Sequence, residues 1–491
     1  MTPLSFTIAH ALPEAIIALS LLALLLLGAL RGEQSARLVA ELAIGALALA
    51  LVVIFIGAKS RAVVFDEAYL DDSFARFMKV LALVGSLVSL VLSRDHFRRA
   101  GIDQFEFPIL ILISTLGMLV LTSANSLIAL YLGFELMSLA LYVVAAFHRD
   151  DLRASEAGLK YFVLGALSSG MMLYGASLIY GFAGTVTFPG IAAALSSGPK
   201  IGVVFGLVFL MAGLAFKMSA VPFHMWTPDV YQGAPTPVTA FFASAPKMAA
   251  VAIAVRVTMT AFPAITDQWR QIVVFISIAS MALGSFAAIG QANIKRLMAY
   301  SSIGHMGFAL VGLSAGSQAG VQGVAIYMAI YLVMTLGAFA AILSMRVGGR
   351  DVENIADLSG LARTDGLLAF VLAMLMFSLA GIPPLAGFFA KYYVFLAAVE
   401  AGLFPLAVIG VVLSTVAAYY YLRIVKIMYF DEPGPAFDRS PLAVRGVLVA
   451  AGAAVLLFWA YPGPIVEAAT NAAQSLFPVA NATASTLGAV R

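Results

Sequence analysis

Residues 214–238 read LAFKMSAVPFHMWTPDVYQGAPTPV. Lys217 sits inside an apolar run, and Pro222, Pro228, Pro235 and Pro237 follow within a few turns. Each proline removes a backbone donor and collides with the carbonyl one turn earlier, so no continuous helix crosses this stretch. The freed carbonyls cannot be left facing lipid, which predicts that the break faces protein or a water-filled cavity. A lysine in mid-membrane costs about 2.5–3.5 kcal/mol on insertion scales, so Lys217 also needs a partner or water.

The surrounding chain makes the membrane the relevant solvent. Of 491 residues, 62% are hydrophobic and 11% charged, a composition outside the range of soluble globular domains. Apolar runs long enough to span a hydrocarbon core of about 30 Å recur throughout. We read about fourteen spans: 11–30, 38–57, 77–92, 107–122, 126–147, 157–182, 201–221, 238–262, 272–290, 297–313, 321–345, 367–399, 404–428 and 446–461. The fold class is therefore an all-α polytopic membrane protein. The absence of cysteine excludes thiolate-held iron–sulfur clusters and disulfides. No phosphate-binding loop or dinucleotide fingerprint is present either. The first twenty residues lack a basic leader, so their apolar run is expected to be a mature helix.

The twelfth span is too long for one straight crossing and contains GIPPLAG, a second interruption followed by Lys391. The breaks lie in spans seven and twelve, five apart. A five-helix repeat must invert across the membrane, as in many transporters, with the working site at the broken helices. This predicts two inverted five-helix repeats, helices 4–8 within 107–262 and helices 9–13 within 263–430. Residues 1–106 form three peripheral helices, and 431–491 a last helix and tail. Arginine and lysine are concentrated between odd and following even spans, for example Arg94, Arg98, Arg99, Arg149, Arg153, Lys295, Arg296, Arg346, Arg350, Arg439 and Arg445. Fewer lie opposite, among them Lys59, Arg61, Arg76, Lys79, Lys200, Arg270 and Arg491. The bias predicts both termini on the side away from the cytoplasm.

Glu135 reads as the one carboxylate deep inside a span, against three deep lysines, Lys217, Lys247 and Lys391. Burial favours the neutral amine and a nearby carboxylate favours the ammonium. Separating Glu135 from Lys217 would therefore favour proton release, and approach would favour uptake. A static ion pair locking two helices is the alternative. Lys247 follows Pro246, which suggests a local cavity, with snorkelling to an interface as the alternative. Lys391 has the same alternative. Lys160 is open between a proton site and an interfacial pair with Glu156, four residues earlier. His224 and His305 are candidate proton shuttles or satisfied structural histidines, and their spacing fits no metal motif. Asp229, after Thr227 and Pro228, reads as part of a helix start. Tyr300, Ser301 and Ser302 either hold water or bond to backbone carbonyls.

At these residues the chain resembles a known family, the antiporter-like, proton-translocating membrane subunits of respiratory NADH:quinone oxidoreductase (complex I). Those are in turn similar to subunits of multi-subunit cation/proton antiporters. The resemblance runs over 107–428. HMWTPDVYQGAPTPVTAFFASAPKMA is similar to the N-type form, and IKRLMAYSSIGHMGF and SLAGIPPLAGFFAKYYVF match the family at two further places. The L- and M-type sisters usually differ around the proline cluster, and the M-type carries glutamate where this chain has Lys391. The L-type's long lateral helix has no counterpart after the fourteenth span.

The resemblance implies Glu135 and Lys217 as an input pair, Lys247 as the central site, Lys391 as the exit and His305 on the water path between halves. It also implies a non-redox, proton-translocating subunit in a bacterial inner membrane, driven by quinone reduction elsewhere. NADH, FMN, iron–sulfur clusters and quinone would sit in partner subunits, with no cofactor or metal in this chain. Its partners would be M- and L-type subunits, small membrane subunits and lipids, and no nucleic acid. A cation/proton antiporter subunit and an inert membrane spacer are the rival readings.

Overall fold

The computed structural model describes residues 4–57 and 59–477; Arg491 and both chain ends lie outside them. In chain order the helices are α1 (Leu4–His10), α2 (Leu12–Arg31), α3 (Ala36–Ile56), α4 (Ser73–Ala100), α5 (Glu106–Thr122), α6 (Leu127–Ala145) and α7 (Leu152–Ala183). There follow α8 (Phe188–Ala194), α9 (Ile201–Met218), α10 (Thr227–Gly233), α11 (Thr236–Ala243), α12 (Ala245–Thr260), α13 (Thr266–Ile289) and α14 (Ile294–Ser314). The last are α15 (Gln318–Leu343), α16 (Leu361–Thr364), α17 (Gly366–Ala380), α18 (Ala386–Glu400), α19 (Phe404–Phe430), α20 (Leu442–Leu457) and α21 (Gly463–Gln474). Two small antiparallel hairpins lie in the connections. In the first, Ala62–Val64 pairs with Tyr69–Asp71; in the second, Arg346–Val347 pairs with Arg350–Asp351.

Among the described residues, ten helical stretches are long and apolar enough to cross a membrane. The first, Leu12–Ile56, contains both α2 and α3, and α5, α17 and α20 are shorter apolar helices beside them. Helix starts are set by side chains that take up otherwise unpaired amides. Asp72 accepts from Ala75 N, Ser126 from Ala129 N, Asn293 from Arg296 N and Asp365 from Leu368 N.

Both expected breaks are present. Helix α9 stops at Met218, where Ser219 takes φ 64°, and the chain turns through 219–226 before α10. Helix α17 stops at Ala380, where Gly381 takes φ 90°, and α18 begins at Ala386. A third irregularity separates α11 from α12 at Ser244, just before Pro246 and Lys247.

The burial of whole helices shows where the centre of the bundle lies. The stretch Thr236–Thr260, α14 and α15 are buried almost all round, whereas α2, α3, α7 and α19 present exposed Leu, Phe and Val side chains. An apolar helix buried on every side belongs to the centre of a bundle. The centre is packed at backbone distance: a Cβ on Gly284 of α13 would lie 2.5 Å from Gly304 N of α14. Close contact through small residues is how helices associate where lipid supplies no hydrophobic drive.

Candidate functional site

The end of a helix leaves carbonyls without partners, and both broken helices end inside protein. At the first break, Trp226 Nε1 donates to Phe216 O at 2.9 Å and Lys247 Nζ approaches Met218 O at 3.4 Å. At the second, Lys391 Nζ donates to Ala380 O at 2.8 Å, to Leu379 O at 3.3 Å and to Ser414 Oγ at 2.8 Å. Each break thus sets an ammonium against the negative end of a helix dipole, a favourable place for a cation. Gly381 is needed for this geometry, because its φ is left-handed and a Cβ there would lie 3.0 Å from Lys391 Cδ.

The buried polar groups between the breaks form linked hydrogen bonds. Lys247, fully buried, donates to Ser302 Oγ at 2.5 Å, and Ser302 Oγ lies 2.7 Å from the Tyr331 hydroxyl. The buried His305 ring packs 5.3 Å from that of Tyr331. Its Nδ1 lies 2.6 Å from the Tyr327 hydroxyl, and its Nε2 lies 3.1 Å from the Tyr421 hydroxyl, which also contacts Ser301 Oγ. Beyond His305, Phe308 carries Lys391 Nζ 4.7 Å above its ring. Lys247, Ser302, His305 and Lys391 are therefore brought together along one central line. The sequence reading missed Tyr327, Tyr331 and Tyr421.

Lys217 lies in a different environment. Its amine lies 5.3 Å from the Phe134 ring centre, 5.2 Å from Tyr142 and 5.1 Å from Tyr161, and donates to the Tyr161 hydroxyl at 3.3 Å. Ring faces attract a cation, so an aromatic cage holds this ammonium. Glu135 is not within ion-pair distance of it, and Glu135 Oε1 is buried without a hydrogen-bond partner.

Two expected residues lie off the line. Lys160 is 41% exposed and pairs with Glu156 at 2.7 Å and with Asp229 at 2.9 Å. Arg296 closes the cluster on Asp229 at 2.7 Å, tying α7, α10 and α14 together. Burial works against charge on Asp229, but hydrogen bonds from Lys160 and Arg296 outweigh it and hold the carboxyl below the usual carboxylate range. Asp229 does lie in the first turn of α10, as expected; Thr227, however, is the first helical residue and not the cap, and its buried hydroxyl has no partner. His224 is partly exposed in the turn, and its Nδ1 is unpartnered.

Further buried charges escaped the sequence reading. Glu14, in the first turn of α2, is buried, and its Oε1 lies 2.7 Å from Lys79 Nζ. Lys79 also donates to the Tyr69 hydroxyl. Arg256 of α12 is wholly buried and grips Asp72 through two bonds of 2.8 and 2.9 Å while donating to Thr122 O at 3.0 Å. A carboxylate at a helix start and an arginine 184 residues later give no local pattern to read. No group of three or more potential metal ligands occurs among the described residues.

Residues 124–417 match the family described as NADH:quinone oxidoreductase/Mrp antiporter, transmembrane. NADH-quinone oxidoreductase subunit N of Beijerinckia indica subsp. indica is 70% identical over 477 residues, covering 97% of this chain and 100% of that one. Among solved structures, a chain of respiratory complex I from Thermus thermophilus with bound aureothin superposes with a TM-score of 0.81 at 35% identity, covering 94% of this chain and 99% of that one. A chain of the Mrp complex from Dietzia sp. shares the fold, with a TM-score of 0.85 at 22% identity over 96% of this chain and 98% of that one. The antiporter-like bundle, its two interrupted helices and this degree of identity lead to one conclusion: the chain belongs to the subunit N family of NADH-quinone oxidoreductase, a membrane subunit of respiratory complex I.

Proposed function

We propose that this chain carries protons across a bacterial inner membrane through the line Lys217, Lys247, His305 and Lys391, powered by quinone reduction in partner subunits. The observation that supports it most directly is the buried hydrogen-bonded path from Lys247 through Ser302 to Tyr331, with His305 bridging Tyr327 and Tyr421 on the way to Lys391. Intramembrane ionisable groups are rare and mark ion paths by default. Tyrosine, serine and histidine each donate and accept, which proton exchange between two amines requires.

In this reading Glu135 is the switch. With the pair apart, Lys217 gives its proton towards Lys247; the proton then passes towards Lys391 and the outer face, and renewed approach of Glu135 reloads Lys217. Raising one proton against 100 mV takes about 2.3 kcal/mol, so the charge movement that drives the pair comes from neighbouring subunits. The sequence pattern and the two breaks support fourteen spans arranged as inverted repeats (107–262 and 263–430), with both termini on the outer side. M- and L-type subunits are the expected neighbours, and Lys160 and His224 the expected proton collectors at the rim.

The test uses the assembled complex in vesicles. Lys217→Ala or Glu135→Ala should lower proton uptake per NADH oxidised while electron transfer to an artificial acceptor continues. Unchanged pumping in both variants would make the chain an inert spacer. Sodium-dependent proton flux from material lacking NADH dehydrogenase activity would favour a cation/proton antiporter.

A further inference from the structure

The loop 431–441 and the N-terminal ends of α17 and α20 enclose a cleft of about 300 Å³. Arg439 and Arg445 line it, and neither guanidinium has a hydrogen-bond or ion-pair partner among the described residues. The two acids in its wall are already engaged with backbone amides: Asp438 accepts from Gly348 N and Gly349 N, and Asp365 from Leu368 N. Helix α20 starts at Leu442, and Pro441 before it gives no side-chain cap, so its first-turn N–H groups open toward the same end. Unpaired arginine forks at an uncapped helix start are complementary to a phosphate.

What lies beside the cleft decides which phosphate. Leu367 and Val449 line it and are 44% and 43% exposed, and Phe370 and Leu442 continue the apolar strip at 46% and 88%. Both helices are apolar, and the loop 431–441 is one of the basic connections expected on the cytoplasmic side. A soluble anion would bring no acyl chains to that strip, and a zwitterionic lipid brings a phosphate already offset by its own cation, so an acidic headgroup best matches the two uncompensated guanidiniums. We propose that this cleft is a headgroup site for an acidic phospholipid, its phosphate held by Arg439 and Arg445 and its acyl chains laid along α17 and α20. Basic pockets between membrane helices are the expected geometry for such recognition.

The test uses the intact complex reconstituted in vesicles containing either phosphatidylglycerol or phosphatidylcholine, each with the same photoreactive acyl chain. Labelling of the 366–380 and 442–457 peptides is read by mass spectrometry. Phosphatidylglycerol should label these peptides in preference to phosphatidylcholine. R439Q/R445Q should raise its half-saturating mole fraction about 30-fold, from the usual contribution of two basic residues. R439K/R445K, which keeps the charge and loses only the fork, should weaken labelling less than R439Q/R445Q does. Equal labelling by both lipids, or labelling unchanged in R439Q/R445Q, overturns the proposal. So does loss of labelling on adding millimolar inorganic phosphate, which would identify a soluble-anion site.

Discussion

The hydrogen bond from Lys247 to Ser302 offers the sharpest test of the central line. Ser302→Ala deletes the closer of the two acceptors of the Lys247 amine and leaves Met218 O at 3.4 Å, at the limit of a useful bond. A hydrogen bond to a charged group contributes about 1.5–3 kcal/mol net, so the population of ammonium held at this point should fall about 10- to 150-fold. The deletion also cuts the link to Tyr331. The assay is proton uptake per NADH oxidised by the intact complex in sealed vesicles, with Lys247→Met defining complete loss of this chain's share. Ser302→Ala should retain about a tenth of that share or less, and Ser302→Thr, which keeps the hydroxyl, most of it. Wild-type pumping by Ser302→Ala beside a defective Lys247→Met would refute the path through Ser302. Equal defects in the Ala and Thr variants would assign the effect to packing.

Two further outcomes follow from the buried charges. Arg256→Met strands Asp72 in the interior, which should cost about 3–5 kcal/mol and speed amide exchange in the 73–80 and 245–260 peptides by about 100-fold or more. Adding Asp72→Ser, which retains a cap for α4, should recover most of the protection, and failure to do so would deny the clamp its role. At Asp229 the depressed carboxyl makes the Lys160–Asp229–Arg296 cluster fully effective above the ordinary aspartate value of about 3.9. It is lost only as pH falls through the lower folded value. Amide protection of residues 227–233 should therefore hold from neutral pH down to that range and drop below it, and Asp229→Asn should remove the drop; a drop near neutral pH would contradict the assignment.

Much of the bundle could be anticipated because its constraints are local. Pro222 and Pro384 interrupt helices wherever they occur, so the breaks at 219–226 and 381–385 were visible. The i,i+4 spacing of Glu156 and Lys160 allowed the pair that forms, one of the two readings open for Lys160. The cost of burying ammonium groups singled out Lys217, Lys247 and Lys391. What stayed hidden depends on long-range packing. Tyr421 meets Ser301 across 120 residues and Arg256 meets Asp72 across 184, and an aromatic residue in an apolar span reads as lipid-facing filler until its hydroxyl finds a partner. Glu14 and Lys79 each lie near the start of a span, where sequence alone suggests an exposed headgroup contact. Their mutual burial arises only when α2 and α4 pack.

The environment of Lys391 has one more implication. An ammonium offers three hydrogens, and here three oxygens receive them: Leu379 O, Ala380 O and Ser414 Oγ. A neutral amine offers two hydrogens and a lone pair. Backbone carbonyls cannot reverse polarity, but a hydroxyl can turn and donate. Ser414 is thus the one neighbour able to answer a change of charge by rotating a single bond, which would let the severed helix keep its shape while its nitrogen is emptied and refilled.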